Sequence, residues 1–261
     1  MNTMLRYSIG VAVTGNTCAA DWAFGDFERQ IDRFAMGPAW DWFAERAASL
    51  ETDLEANGGF DERIAEQLEA TGTVFGLAEP IERHMQADEL CSQIEEVAMA
   101  FSVTLQTRLN AFRVAAVRVY EKARSDDLLT VHVPSKWELF PTDLRAIWHV
   151  ANFVKHSDEW GTELDKQQRA TFEALVELGV ANGTHDDRHL ARWPTLEALL
   201  TLSETTWLRD AIPGALKLCA ARGRDIAARI QSDFAQFSDG IALARSNSRR
   251  VMLEQMKRER E

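Results

Sequence analysis

Residues 141–160 read PTDLRAIWHVANFVKHSDEW. Apolar residues recur at helical spacing through this run, which predicts a helix from Pro141 to Ser157. Thr142 or Asp143 is placed to cap it, because a short oxygen side chain accepts from the first free backbone N–H groups. At ~100° per residue, Arg145, His149, Asn152 and His156 fall at i, i+4, i+7 and i+11, inside an arc of roughly 60°. Ile147, Val150, Ala151 and Val154 gather opposite. Trp148 and Phe153 flank the polar stripe, and Lys155 stands off it. A solvated face is normally filled by Glu and Lys, which form helices better than His or Asn. A mid-helix stripe of one guanidinium, two imidazoles and a carboxamide therefore needs a packing or a functional reason.

The flanking sequence is helical too. A first helix is expected over Ala20–Ala56, broken near Gly37-Pro38 because proline disrupts a helix interior, and ended by Asn57-Gly58-Gly59. A second is expected over Asp61–Thr71. A third starts near Pro80, suited to a first turn, and runs to Ala123. Ser125-Asp126-Asp127 closes it. Leu128–Val133 reads as a short strand in the connection that Pro134 and Pro141 bracket. Helices follow over Leu164–Val180, His185–Ser203 (interrupted at Pro194) and Gly214–Arg260, with Pro213-Gly214 separating the last two. With 14 Gly and 6 Pro in 261 residues, long helices suit the chain better than a turn-rich β fold. The expected fold is all-α, a bundle of long antiparallel helices. It divides into an acidic N-terminal helical part, 1–79, and a bundle, 80–261, that together can form one continuous domain.

Charge follows that division. The net charge is −12. Residues 21–100 hold 19 acids and 5 bases, a net of −14, and the remainder nets +2. Arg108, Arg113, Arg118, Lys122 and Arg124 face only Glu121 in their stretch, and residues 245–261 carry six bases against three acids. Such asymmetry steers a polyanion to one part of a soluble chain, although the bases of 108–124 scatter around their helix. No apolar run reaches the ~18 residues that span a bilayer, so no membrane partner is expected. The short apolar patch near the start, broken by Gly10 and Gly15, is a weak h-region, so a signal peptide is the disfavoured reading. Cys18, Cys91 and Cys219 lie far apart with no CxxC, which points to a reducing cytoplasm.

The stripe carries the chemistry. A histidine near its ordinary pKa of ~6.5 takes a proton from a ribose 2′-OH or gives one to a leaving oxygen. Arginine stabilises charge on phosphoryl oxygens, and asparagine holds a tautomer or contacts a phosphate. The competing reading is that these side chains bond to neighbouring helices inside the bundle.

The run Leu144-Arg145, followed by Ala151-Asn152-Phe153-Val154-Lys155-His156, resembles the signature helix of HEPN-like proteins. The resemblance is to the Asn-x-x-Lys-His variety of prokaryotic defence and toxin proteins, and extends in outline over residues 80–180. It implies a helical, often dimeric fold and metal-independent endoribonuclease action or RNA binding without cleavage. It also implies a homodimer, a cognate antitoxin or partner protein, and no cofactor. Family members pair Arg and His four to six residues apart. Here three residues separate Arg145 from His149, and ten separate it from His156. Carried over, the roles are His156 as acid/base, Arg145 or Lys155 as the phosphate cation, Asn152 as positioner and His149 as accessory.

Other constellations compete. A non-catalytic helical dimerisation or interaction protein would use the long helices near 80–124 and 214–260. His185 and His189, at i and i+4, would chelate a metal if helical, though Thr184 and the following acids also read as a helix start. The pairs Glu95-Glu96, Asp126-Asp127 and Asp158-Glu159 read as solvated. Trp22, Trp40 and Trp42 read as core or interface. No phosphate-binding glycine loop, dinucleotide fingerprint or nucleophile elbow is present.

Overall fold

In a computed structural model the chain is all-α, with one small hairpin. The structure describes residues 19–35, 37–59, 78–125, 133–135, 137–161, 163–184 and 187–258, with side chains in the last helix placed as far as Phe234. The helices are α1 (Ala19–Asp32), α2 (Pro38–Ala56), α3 (Ala78–Ser125), α4 (Thr142–His156), α5 (Lys166–Glu177), α6 (Pro194–Ser203) and α7 (Leu208–Arg258). A 3₁₀ turn, Ser157–Glu159, follows α4, and strands β1 (Ala181–Gly183) and β2 (Arg188–Leu190) precede α6.

The expected break near Gly37-Pro38 is present, with Pro38 opening α2. Its missing N–H costs nothing in a first turn. Past the other end, Gly58 and Gly59 have φ of 95° and 79°, a left-handed backbone that glycine adopts without strain. The long helix α3 is unbroken over 48 residues, about 72 Å at 1.5 Å per residue. The helix expected over Asp61–Thr71 and most of the strand expected over Leu128–Val133 lie outside the described residues.

The chain forms two compact units. One comprises Met1–Asp32, Ala111–Leu139 and Ala221–Glu261; the other comprises Arg33–Asn110 and Phe140–Ala220. Both are discontinuous, and α3 and α7 each contribute a part to either unit. In the first, Phe27 of α1 packs on Phe112 at 4.9 Å between ring centres. Gly223 lets α7 approach there, since a Cβ at that position would sit 3.0 Å from Ile31 and 3.3 Å from Phe112. In the second, Trp40 and Phe43 of α2 stand edge-on to Phe101 of α3 at 5.8 and 5.7 Å. Trp40 is buried there, whereas Trp22 and Trp42 are exposed.

Two helix starts differ from expectation. The helix expected from His185 begins at Pro194, because Ala181–Gly183 and Arg188–Leu190 pair as antiparallel strands ahead of it, with Ala181 opposite Leu190 and Gly183 opposite Arg188. Gly183 has φ 94°, and a Cβ there would lie 2.0 Å from the Asp187 carbonyl oxygen, so only glycine closes this turn. Pro213 does not separate two helices; it lies inside α7, which starts at Leu208. The cause is Glu51 of α2. Its buried carboxylate accepts from the Leu208 and Arg209 backbone N–H groups and so anchors the helix five residues ahead of the proline. Glu95 of α3 does the same for α6, accepting from Thr195 at 2.9 Å and Leu196 at 2.7 Å, so it is not the solvated carboxylate expected. Burial raises the pKa of both glutamates, and the hydrogen bonds they accept oppose that rise.

Candidate functional site

Helix α4 buries Leu144, Ile147, Val150, Ala151 and Phe153. Val150 and Phe153 share a core with Phe172 and Leu175 of α5 and with Ala198 of α6. This anchoring fixes the rotation of α4 and with it the placement of the stripe.

The stripe divides along its length. Arg145 is exposed, and its Nε donates to the Phe140 carbonyl at 2.8 Å. His149 is half-buried, with Nδ1 3.1 Å from Thr171 Oγ1. Burial lowers its pKa, and the nearby Arg145 charge lowers it further. Asn152 is only 9% exposed. Lys155 and His156 are exposed. Arg145 and His156 share an edge of α4 but stand eleven residues apart, about 16 Å along the axis. They are not brought together on one phosphate within a chain.

Gln106 of α3 organises the centre. Lys155 Nζ donates to Gln106 Oε1. Gln106 Nε2 in turn donates to the Trp148 carbonyl at 3.1 Å and to Asn152 Oδ1 at 2.6 Å. An ammonium has only donors to give, so Lys155 sets which end of the Gln106 amide is oxygen. Gln106 then sets the orientation of the Asn152 amide. With its oxygen occupied, Asn152 keeps an NH₂ that makes no hydrogen bond among the described residues.

That residue lines a cleft of ≈ 160 Å³ at the junction of α4, the 3₁₀ turn and α5, together with His156, Glu159, Trp160, Asp165, Gln168 and Thr171. His156 Nδ1 lies 3.1 Å from Glu159 Oε2. A carboxylate only accepts, so Nδ1 carries the proton and Nε2 of the neutral ring has a free lone pair. Across the cleft, Asp165 caps α5, its Oδ1 accepting from Gln167 and Gln168 N–H at 2.7 and 2.8 Å. Gln168 Oε1 accepts in return from the Asp165 N–H at 2.9 Å, a capping box that fixes both side chains. Trp160 stands edge-on to Phe153 at 5.4 Å. Arg188 of β2 lies 5.9 Å over the Trp160 ring, with Nη2 bonded to the Gly161 carbonyl at 2.7 Å. Its buried Nη1 has no partner.

Of the five residues singled out from sequence, Asn152 and His156 meet at the cleft. Lys155 acts behind Asn152 through Gln106, and Arg145 and His149 lie towards the other end of the helix. Sequence reasoning missed Gln106, Glu159, Trp160, Asp165, Gln168 and Arg188. Gln106 had one signal: it is a polar residue beside an apolar edge of α3 that runs through Phe101, Leu105, Leu109 and Phe112, all fully buried. The remaining residues come from a turn, a cap and a hairpin, whose convergence no periodicity encodes.

The helical His pair is not formed, because His189 sits on β2 beside Asp187 at 3.3 Å; His185 lies outside the described residues. No cluster of three or more metal-ligating side chains occurs among the described residues, and no described helix is long and apolar enough to cross a membrane. Comparison with family models, curated proteins and solved structures finds no match.

Proposed function

We propose that the chain is an RNA-directed protein of the HEPN-like, defence or toxin kind, cutting single-stranded RNA without a metal at the α4–α5 cleft. One observation carries this reading: His156 Nδ1 faces the Glu159 carboxylate at 3.1 Å on the wall of a cleft, the arrangement of an imidazole protonated at Nδ1. In that tautomer Nε2 takes the proton of a ribose 2′-OH. The 2′ oxygen bonds to phosphorus and the bond from phosphorus to the 5′ oxygen breaks. The 5′ oxygen leaves and takes a proton from water, giving a 2′,3′-cyclic phosphate and a 5′-hydroxyl end, and His156 returns its proton to solvent. Asn152 directs its NH₂ at the reacting group, and Lys155 positions Asn152. Arg145, three turns away, meets a phosphate further along the strand. The resemblance adds a homodimer and a cognate protein partner to this proposal.

The test is cleavage of single-stranded RNA in EDTA by the full chain. His156→Ala is expected to lower the rate by about 10²–10⁴, the range that general acid–base groups supply. Undiminished cleavage in a folded His156→Ala protein removes the assignment.

A second reading, a non-catalytic helical interaction protein, is favoured by the bonding of His149, Asn152 and Lys155 to neighbouring elements of the bundle. It predicts no RNA turnover, and loss of a dimer or partner when exposed apolar residues such as Met85, 65% exposed, are made polar.

A further inference from the structure

We propose that the α4–α5 cleft is a ribose pocket, taking one sugar of an RNA strand through its vicinal hydroxyls and leaving the phosphates outside. This deepens the RNA-directed reading and rests on it.

The lining sets the ligand chemistry. Among the described residues two carboxylates, Glu159 and Asp165, line the cleft and no lysine or arginine does, so a phosphate entering it would meet like charge. Each carboxylate has one oxygen committed, Glu159 to His156 and Asp165 to the α5 N-terminus. The second oxygen of each has no partner among the described residues. Sugar hydroxyls donate to such oxygens and carry no charge to repel.

The donor side is built into the core. Asn152 is nine-tenths buried, its oxygen is taken by Gln106, and its NH₂ is the polar group left facing the cleft. That NH₂ has no acceptor among the described residues and is open to a ligand acceptor in the cleft. The Gln168 NH₂ is likewise unpartnered, because only its oxygen is used in the capping box. A ring of unused acceptors and donors without a cation suits a hydroxyl, which is both donor and acceptor. The volume, ≈ 160 Å³, lies below the ~300–1,000 Å³ that encloses a drug-sized ligand and fits a single ring. Trp160 supplies the apolar wall that a sugar face packs on.

The experiment measures binding of the full chain, by stopped-flow fluorescence in EDTA before cleavage sets in, to a short labelled single-stranded RNA, the DNA of the same sequence and the fully 2′-O-methylated strand. The RNA is expected to bind about tenfold more tightly than either, since a site that hydrogen-bonds a hydroxyl rejects analogues lacking its donor. Glu159→Gln and Asp165→Asn, the second of which keeps an N-cap side chain, are expected to bring RNA affinity down to that of DNA. Equal affinity of the wild-type chain for all three strands overturns the pocket. That result beside His156-dependent cleavage leaves the nuclease reading standing, whereas discrimination without cleavage keeps the pocket and removes the nuclease. If no strand binds, NMR titration with uridine and 2′-deoxyuridine decides. Shifts at the Asn152 and Trp160 side-chain N–H signals with uridine alone support the pocket, and equal or absent shifts overturn it.

Discussion

Gln106 and Asn152 are joined by a 2.6 Å hydrogen bond between α3 and α4, and the direction of that bond decides what Asn152 offers the cleft. Lys155 holds the Gln106 oxygen, the Gln106 nitrogen holds the Asn152 oxygen, and the Asn152 nitrogen is what remains. In this way the Asn-x-x-Lys-His run acts as one device: the lysine works at a distance on the asparagine, and the asparagine and histidine reach the cleft.

Gln106→Glu tests the device. A glutamate keeps the Lys155 pairing but has no N–H, so Asn152 is expected to turn over and present its oxygen to the cleft. The Trp148 carbonyl also loses its Gln106 donor, so urea unfolding should show a loss of about 1–3 kcal/mol, while RNA binding or cleavage falls at least about tenfold. Gln106→Leu, which also leaves Lys155 without its acceptor, should cost at least as much. Unchanged activity in Gln106→Glu would show that the relay only packs the helices.

Glu159→Ala frees the His156 ring from its one charged partner. Cleavage is expected to fall by about 10–100-fold, less than for His156→Ala, because orientation is lost while the base remains. The fold should not change, since the pair is exposed and an exposed pair contributes ~0–1 kcal/mol. Single-turnover cleavage and circular dichroism separate the two effects.

His149 makes stability depend on pH. Its folded pKa is lowered from the ordinary 6.5, first by burial and then by Arg145. As pH falls through 6.5 the unfolded chain takes up this proton before the folded chain does, so stability present above 6.5 is lost on acidification. The midpoint of urea unfolding should therefore fall between pH 7 and pH 5.5, with a shallower slope in His149→Gln. An identical slope in the variant would assign the acid sensitivity elsewhere.

The cap on α7 is a tertiary contact with a measurable cost. Glu51→Ala removes the acceptor for the Leu208 and Arg209 N–H groups and is expected to destabilise the chain by roughly 2 kcal/mol, as for a buried charge-assisted cap. Glu51→Gln keeps one acceptor and should lose less than half of that.

Periodicity was enough to place α4, because five apolar residues at helical spacing bury on one side and the polar stripe follows. The break at Gly37-Pro38 and the stop at Gly58-Gly59 were legible for a local reason: proline lacks an N–H and glycine alone enters left-handed backbone freely. Pro213 and His185 misled because their neighbours overrule them. A glutamate 157 residues upstream in sequence starts α7 ahead of the proline, and Ala181–Gly183 pairs with Arg188–Leu190 as antiparallel strands.

The sequence by itself determined the helical class, the bounds of α4 and which side chains share its polar edge, since these depend on interactions within a few turns of one chain segment. Only the tertiary structure decided which of those side chains work together. Angular alignment placed Arg145 beside His156 in projection, but rise along the axis separates them, and only packing of α3, the 3₁₀ turn and α5 around α4 gives Asn152 and His156 a shared cleft. Hydrogen-bond direction and burial are properties of such long-range contacts, which a one-dimensional pattern does not contain.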